Sequence, residues 1–207
     1  GLGPSTCFNL LKTLLSEGAI LRDQPSKKYR LSPAWSKSEL FRDSMAHRLI
    51  EKMRPLMARF AQTHELTIGL WQIAPKERLQ LVAHAESDAQ MSIRLANHQR
   101  QPLGSGAVGR AFAAAQMPET SEIQRRFGAV RWQKDISFSE YHGQIRAAAT
   151  QGFAIDNGYA HVGITSVAAV IPADPVSFAL SVSFFAGARS AEGISALGEA
   201  LKNLAES

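Results

Sequence analysis

Segments that favour β-strands lie at both ends of residues 65–207, and segments that favour helices lie between them. The turn-forming stretch Pro75-Lys76-Glu77 separates the first two strands and predicts a hairpin. Strands that do not alternate one by one with helices favour an antiparallel sheet over repeated βαβ units. We therefore predict an α+β domain in which helices flank an antiparallel sheet. The predicted strands cover residues 67–74, 78–86, 91–95, 164–171 and 178–186, and the predicted helices cover residues 107–116, 120–127, 139–151 and 191–205.

A second pattern, a helix followed by a hairpin, occupies the start of the chain. Pro4, Ser5 and Thr6 favour a helix start, and Gly18 favours a helix end. Two short strands within residues 19–31 predict the hairpin. The apolar residues that recur at helical spacing, and for which we predict a buried face, are Phe8, Leu11, Leu14 and Leu15. An exposed helix face that reaches base edges, followed by a hairpin with lysines at its tip, is typical of a partial winged helix-turn-helix.

The charge distribution supports a DNA-binding interpretation of this segment. Residues 1–59 carry 11 of the 23 lysines and arginines but only 5 of the 18 aspartates and glutamates. The basic excess therefore lies with the helix, the hairpin and the segment that follows them, as expected for a phosphate-binding end. A helix and hairpin from an unrelated domain is the plainer alternative. The candidate DNA-binding residues are Ser5, Thr6, Asn9, Lys12, Lys27, Lys28 and Arg30.

Length and composition set the limits for these domains. A chain of 207 residues with 45% hydrophobic residues can form one good core and a small second domain. Its single cysteine, Cys7, excludes an intrachain disulfide, and no apolar run approaches the roughly 18 residues of a membrane span, so we expect a cytoplasmic protein without membrane contact. Only three residues precede the predicted recognition helix, and we expect that upstream helices are missing from this chain.

Apolar residues also recur at helical intervals from Leu40 to His64. Pro55 lies inside this segment and predicts a kink or a break into two helices. The segment is interpreted as a linker helix that couples two domains and supports dimerisation, with a single packing helix as the alternative. The predicted domains are a partial winged helix-turn-helix (residues 1–34), the linker helix (35–64) and a C-terminal domain (65–207).

Residues 104–109 (GSGAVG) match the G-x-G-x-x-G pattern of dinucleotide-binding proteins. That motif works directly after a buried parallel strand, with an acidic residue ending a second strand about 20 residues later. The preceding residues 97–102 (NHQRQP) are polar, and no such acidic residue follows, so we reject a dinucleotide site. A glycine-rich entry to a helix still exposes backbone N–H groups, which favour a carboxylate or another anion.

Residue patterns that would indicate catalysis or metal binding are missing from the sequence. The six histidines are scattered, without the i,i+3 or i,i+4 pairs or the cysteine partners of a metal site. No serine lies in a G-x-S-x-G pattern, and Cys7 lies on the predicted recognition helix. We therefore expect a protein that is not an enzyme and that has no metal or cofactor.

Three serines lie on otherwise apolar strands near the C-terminus. Ser166, Ser181 and Ser183 alternate with large apolar residues, as expected for a small apolar pocket with a few polar anchors. A half-exposed sheet with these serines facing solvent is the alternative. Trp132 and Phe138 lie in a predicted loop that either closes over such a pocket or belongs to the core.

With these segments in order, the chain resembles bacterial transcription regulators of the IclR (isocitrate lyase regulator) family. The resemblance covers essentially all residues and depends on the order and spacing of several short segments. In the first part they are Ser5-Thr6, Leu10-Leu11, Leu14, Glu17-Gly18-Ala19-Ile20 and Tyr29-Arg30-Leu31. In the second part they are residues 109–114 (GRAFAA), 151–156 (QGFAID), 167–171 (VAAVI) and 179–183 (ALSVS).

The resemblance implies a winged helix-turn-helix, a linker helix and a GAF-like effector domain. It also implies homodimers, or tetramers formed from two dimers, that bind double-stranded operator DNA and respond to a small organic acid or aromatic effector. The effector-binding residues it implies, together with the candidates above, are Gly106, Ala107, Val108, Trp132, Ser166, Ser181 and Ser183.

Five positions depart from the family pattern. Asn9 stands where an arginine is usual, Gly158-Tyr159 where two acidic residues are usual, Ser166 where a cysteine is usual, and Val170 where a proline is usual. These departures argue against transferring a particular operator or effector to this chain.

The hypothesis is thus a DNA-binding regulator whose C-terminal domain binds a small effector that modulates operator binding. One alternative is an enzyme or nucleotide-binding protein that uses residues 104–109. Another is a stand-alone small-molecule sensor or dimerisation module.

Overall fold

The computed structural model describes residues 3–33, 39–89, 93–96, 98–173, 175 and 177–207. They divide into two compact units, Gly1–Glu51 and Lys52–Ser207. In chain order the elements of the first unit are α1 (Pro4–Ser16), β1 (Ile20–Arg22) and β2 (Tyr29–Leu31), and α2 (Glu39–His64) begins there and ends in the second unit. The remaining elements are β3 (Thr67–Ala74), β4 (Arg78–Ala85), β5 (Arg100–Pro102), α3 (Gly106–Gln116), α4 (Thr120–Gly128), α5 (Phe138–Gln151), β6 (Ala154–Asn157), β7 (Ile164–Val170), β8 (Phe178–Phe185) and α6 (Ala191–Glu206).

The second unit contains one six-stranded sheet in the order β5-β4-β3-β8-β7-β6, and each neighbouring pair is antiparallel. Helix α3 packs against β6, β7 and β8 and also against α5, while α6 packs against β7 and β8. The predicted fold class, an α+β domain with an antiparallel sheet flanked by helices, is confirmed.

The apolar character of α3 explains its central position. Every residue from Gly106 to Ala114 in this helix is buried. A helix that is apolar on all sides must be covered on all sides, and α3 achieves this by lying between the sheet and α5. Its start is therefore fixed by packing in several directions.

The predicted third strand, residues 91–95, is not found where it was expected. Residues 91 and 92 lie outside the described residues, and residues 93–95 belong to no strand. The strand that pairs with β4 on the side away from β3 is β5, where Gln80 lies opposite Arg100. An edge strand pairs through its backbone groups and needs little apolar burial. The sequence analysis therefore did not identify β5, whose residues are polar or proline. The four-residue strand β6 was also missed.

The sequence predicts a kink or a break into two helices at Pro55. Helix α2 is continuous through Pro55, so the break is wrong, and the kink stays a prediction. Proline removes one backbone N–H from the helix. Buried apolar side chains before and after Pro55 stabilise the continuous helix: Met53, Met57 and Phe60. The predicted linker also included residues 35–38, which lie outside the described residues.

The prediction of a buried face on α1 is wrong. No residue of α1 is buried, and the Phe8 side chain is 64% exposed. A helix face is buried only when a second layer covers it, and in the described part of the first unit the two-stranded hairpin is too small to do so. Ser5 and Thr6 provide no side-chain cap either, since Gly3 is the N-cap residue and Pro4 starts the helix.

Candidate ligand-binding site

A cavity of about 210 Å³ lies between the start of α3 and the serine-bearing face of the sheet. Six of the seven effector-binding candidates line it: Gly106, Ala107, Val108, Ser166, Ser181 and Ser183. The other lining residues are Trp71, Ile93, Arg94, Leu95, Gln99, Gln101, Ala160, His161 and Ile164. The fold therefore brings together two segments that the sequence analysis selected for separate reasons.

Strand register brings the three serines together. Ser166 on β7 lies directly opposite Ser183 on β8, and Ser181 lies two residues before Ser183. Because side chains alternate between the two faces of a sheet, all three belong to the same face. The buried Ser181 hydroxyl accepts a hydrogen bond of 2.8 Å from the indole N–H of Trp71. This bond orients the indole against the cavity.

Gly69 makes room on the same face. It lies opposite Ser181 in the β3–β8 pairing. A Cβ atom at this position would lie 2.8 Å from Cδ1 of Leu81 and 3.0 Å from Cδ1 of Leu95, distances below ordinary carbon–carbon contact. A larger residue would therefore displace the side chains that shape this part of the second unit.

The start of α3 lies at the cavity, and its first backbone N–H groups have no side-chain cap. Gly106 has a φ of 61°, a left-handed conformation that favours glycine. Ser105 is the N-cap residue but forms no side-chain capping bond. The first N–H groups of a helix have no partner within the helix, and Gly106, Ala107 and Val108 lie at the cavity. Together with the helix dipole they form a positive surface.

The charges around the cavity have one sign. Arg94 and His161 are its ionisable lining residues, both exposed, and no aspartate or glutamate is found among the described lining residues. The cation, the helix start and the serine hydroxyls therefore all suit a ligand with a negative end. The apolar walls suit a hydrocarbon or aromatic body.

The glycines of residues 104–109 have a packing role. A Cβ atom on Gly104 would lie 2.6 Å from the carbonyl oxygen of Arg126, and one on Gly109 would lie 2.4 Å from the carbonyl carbon of Gly104. The strand that precedes them, β5, is a three-residue antiparallel edge strand. The geometry of a dinucleotide-binding motif, which needs a parallel strand at this place, is not formed.

Arg110 and Asp156 form a buried ion pair that the sequence analysis did not identify. Arg110 Nη1 lies 2.9 Å from Asp156 Oδ1, and the two side chains are 0% and 3% exposed. Burial lowers the pKa of Arg110, and the Asp156 carboxylate opposes that shift. A useful signal was present in the sequence, since each is a lone charge within an apolar segment, and buried charges are paired.

Trp132, the seventh effector-binding candidate, does not line the cavity. Its ring lies 5.4 Å from that of Phe127 and 5.5 Å from that of Tyr141, in an aromatic cluster that also contains Phe138. The guanidinium carbon of Arg110 lies 5.3 Å from the Trp132 ring. Burial raises the pKa of Tyr141 to about 12, and its hydroxyl donates a 2.9 Å hydrogen bond to the Gly104 carbonyl.

The first unit carries the DNA-binding candidates. Ser5, Thr6, Asn9 and Lys12 are exposed on α1, and Lys27, Lys28 and Arg30 are exposed on the hairpin. The turn is fixed locally: the Asp23 carboxylate accepts hydrogen bonds from the Ser26 N–H and hydroxyl, and these bonds lower the pKa of Asp23. Both lysines therefore lie at the tip of a short, ordered hairpin.

Among the residues that the structure describes, no cluster of three or more histidine, cysteine, aspartate or glutamate side chains is arranged to hold a metal ion. No helix in the described ranges is long and apolar enough to span a membrane.

Comparison with known families and structures gives a consistent result. Residues 44–207 match the family described as "Bacterial transcriptional regulator IclR C-terminal". The crystal structure of an IclR transcriptional regulator from Alicyclobacillus acidocaldarius is 22% identical, with a TM-score of 0.64 over 100% of this chain and 84% of that chain. The IclR structure from Thermotoga maritima is 17% identical, with a TM-score of 0.65 over 99% of this chain and 84% of that chain. An IclR family regulator from Brucella abortus is 19% identical, with a TM-score of 0.61 over 99% of this chain and 78% of that chain. No curated protein sequence matches the chain.

Proposed function

The chain belongs to the IclR family of bacterial transcriptional regulators, and we propose that it binds operator DNA through its first unit and a small organic acid in the cavity of its second unit. The observation that carries the proposal is the cavity itself. The start of α3, which has no side-chain cap, and the serines of β7 and β8 line the same cavity, and no described lining residue is acidic. We further propose that the active protein is a cytoplasmic homodimer or tetramer and not an enzyme.

The volume of the cavity limits the size of the ligand. An apolar cavity of about 150 Å³ is large enough for benzene, and this cavity measures about 210 Å³. A small aromatic or short aliphatic carboxylate fits these dimensions. Its carboxylate would accept hydrogen bonds from the start of α3, and its body would lie along Trp71, Leu95 and Ile164.

DNA binding is proposed for α1 and the hairpin. The exposed polar side chains Thr6, Asn9 and Lys12 are suited to contact base edges, and Lys27 and Lys28 to contact phosphates. In a dimer, two such units would read two half-sites. Ligand binding would favour one arrangement of paired α2 helices and so change the spacing of the two recognition helices.

The ligand part is tested with matched pairs of small acids and their amides, such as benzoate with benzamide and butyrate with butyramide. Thermal denaturation and calorimetry measure binding. We expect acids to raise Tm and bind, and the uncharged amides to bind much more weakly. Arg94→Gln should weaken acid binding about fivefold, because a charge pair a few ångströms apart in water is worth about 1 kcal/mol.

Arg100→Gln is the matched control, because Arg100 is also exposed but bonds to Gln80 and does not line the cavity. Equal weakening by both substitutions, or a panel in which no acid binds, would contradict the proposed ligand site.

The DNA part is tested by fluorescence anisotropy on duplexes from upstream of the protein's own gene. The chain is compared at two salt concentrations with a form that carries any native residues preceding Gly1. Tight, salt-dependent binding that resists competitor DNA is expected for the longer form. Binding no stronger than to a scrambled duplex by either form would contradict operator recognition at that site.

A further inference from the structure

Two separate elements that touch each other line the cavity, since a Cβ atom built on Gly106 would lie 3.8 Å from the Ala160 Cβ atom, and one ion pair is bonded to both. The first wall is the start of α3, which includes Gly106. The second is the loop between β6 and β7, which contributes Ala160 and His161. Arg110 Nη1 donates a 2.8 Å hydrogen bond to the Gly106 carbonyl, and Asp156 Oδ2 accepts a 3.1 Å hydrogen bond from the Ala160 N–H. The ion pair between the two side chains closes this connection.

A third bond extends the connection to α5. Arg110 Nε donates a 2.7 Å hydrogen bond to Gln144 Oε1. Gln144 donates to Glu140 at 3.3 Å, and the Tyr159 hydroxyl, from the loop between β6 and β7, also bonds to Glu140. Helix α5 is therefore bonded to the ion pair and, separately, to the loop that carries the second wall.

The surroundings of Arg110 leave its side chain little freedom. The guanidinium carbon lies 4.8 Å from the Tyr141 ring, 5.3 Å from the Trp132 ring and 5.8 Å from the Tyr159 ring. Arg110 Nη2 forms no hydrogen bond to a described residue and is fully buried. A charge held in one place by rings and a carboxylate can move only if its partners move with it, because leaving it unpaired in the interior is costly.

We infer that Arg110 and Asp156 are positioning residues that hold the two cavity walls at a fixed separation and pass any change in that separation to α5. The inference deepens the proposed function, on which it rests for the identity of the cavity as a ligand site. A ligand that shifts one of these walls would displace Gly106 and Ala160 relative to each other. The ion pair would convert this displacement into a movement at Gln144.

The test is hydrogen exchange of the free protein, followed by mass spectrometry, for Asp156→Asn and Arg110→Lys. The asparagine can still accept from the Ala160 N–H, but it cannot neutralise Arg110. We expect Asp156→Asn to raise exchange about tenfold or more at the start of α3, in residues 109–112, whose backbone Asp156 does not bond directly. Lysine retains the charge without the planar fork, and Arg110→Lys should raise exchange by a similar factor in residues 158–163.

An effect of each substitution on the wall that its own residue does not bond distinguishes a positioning role from an ordinary structural role. If each substitution loosens only the wall that its own residue bonds, the inference is overturned. It is also overturned if exchange rises equally in α6, because the change would then reflect global unfolding. Glu122→Gln, which removes the acidic partner of Arg125 and Arg126 on α4, is the matched control and should change neither wall. No ligand or DNA is used, so a failure of the proposed function would leave this result interpretable.

Discussion

Gly109 in α3 and Gly143 in α5 offer a sharp test of how tightly α3 is packed. Both lie within helices, so replacing either with alanine gains about 1 kcal/mol from helix propensity. Nothing lies within 4 Å of a Cβ atom built on Gly143. We therefore expect Gly143→Ala to stabilise the protein by roughly 0.5–1 kcal/mol.

Gly109→Ala should have the opposite sign. Its Cβ atom would lie 2.4 Å from the Gly104 carbonyl carbon and 2.6 Å from the Leu103 carbonyl oxygen. Both neighbours are backbone atoms, so the loop itself must move by about 1 Å to restore normal contact. Overpacking of this kind costs roughly 1–3 kcal/mol, and a backbone obstacle places it at the upper end. The net effect is a destabilisation of about 1–2 kcal/mol, and the two variants should differ by about 1.5–3 kcal/mol.

Urea and thermal unfolding, both followed by circular dichroism, measure the two variants under the same conditions. The expected difference in Tm is about 3–12 °C, at 2–4 °C for each kcal/mol in a domain of this size. Gly109→Ala should also weaken binding of any acid that binds the wild type, since the loop carries the cavity's helix start. Equal stabilisation by the two substitutions would refute the close approach of α3 to residues 103–105.

Three further predictions concern the buried ion pair, Tyr141 and the hairpin. Arg110→Met should lower the free energy of unfolding by about 3–5 kcal/mol, because Asp156 would keep a buried, unpaired charge. The double variant Arg110→Met/Asp156→Leu should recover much of this stability in urea unfolding, and a double variant less stable than either single variant would contradict the pairing. Burial raises the pKa of Tyr141 from 10.0 to about 12, so the hydroxyl stays protonated in the folded state at a pH where it ionises in the unfolded state. Ionisation therefore stabilises the unfolded state first, and the free energy of unfolding falls by roughly 3 kcal/mol as the pH rises from 10 to 12. Tyr141→Phe should lack this fall. Identical alkaline stability profiles of the variant and the wild type would contradict the burial of the hydroxyl. Lys27→Ala/Lys28→Ala should weaken DNA binding on all sequences and reduce the salt slope by about 0.9 for each phosphate that the lysines no longer neutralise. Lys76→Ala, at another hairpin turn, is the control, and an equal effect there in salt-dependent anisotropy would contradict a role for the hairpin.

Local patterns were sufficient for most elements of the second unit. Strand and helix periodicity depends on neighbouring residues, and the predicted helix at residues 107–116 differs from α3 by one residue at its start. The short strands β5 and β6 lacked such a signal, because β5 is a polar edge strand and β6 has only four residues, too few to show a period. The continuity of α2 through Pro55 likewise depends on buried contacts that a local rule for proline does not include.

The sequence also marked most of the candidate site without defining it. The serines of β7 and β8 and the glycine-rich start of α3 were visible as unusual residues within apolar segments. Whether the serines faced solvent or a cavity was left open, and strand register decided it by placing Ser166 opposite Ser183 on the face that α3 approaches. Trp132 was also an effector-binding candidate from the sequence, but in the structure it packs against Phe127 and Tyr141 and does not line the cavity.

By itself the sequence determined the order of the elements, the antiparallel sheet and the basic first unit, because periodicity, turn residues and charge are properties of local segments. The tertiary structure decided which residues of different elements are in contact. Asp156 meets Arg110, and Gly104 meets Arg126, only after the second unit has packed. Such contacts join residues whose separation along the chain carries no information about their distance in space. The cavity and the ion pair that joins its walls are therefore products of packing.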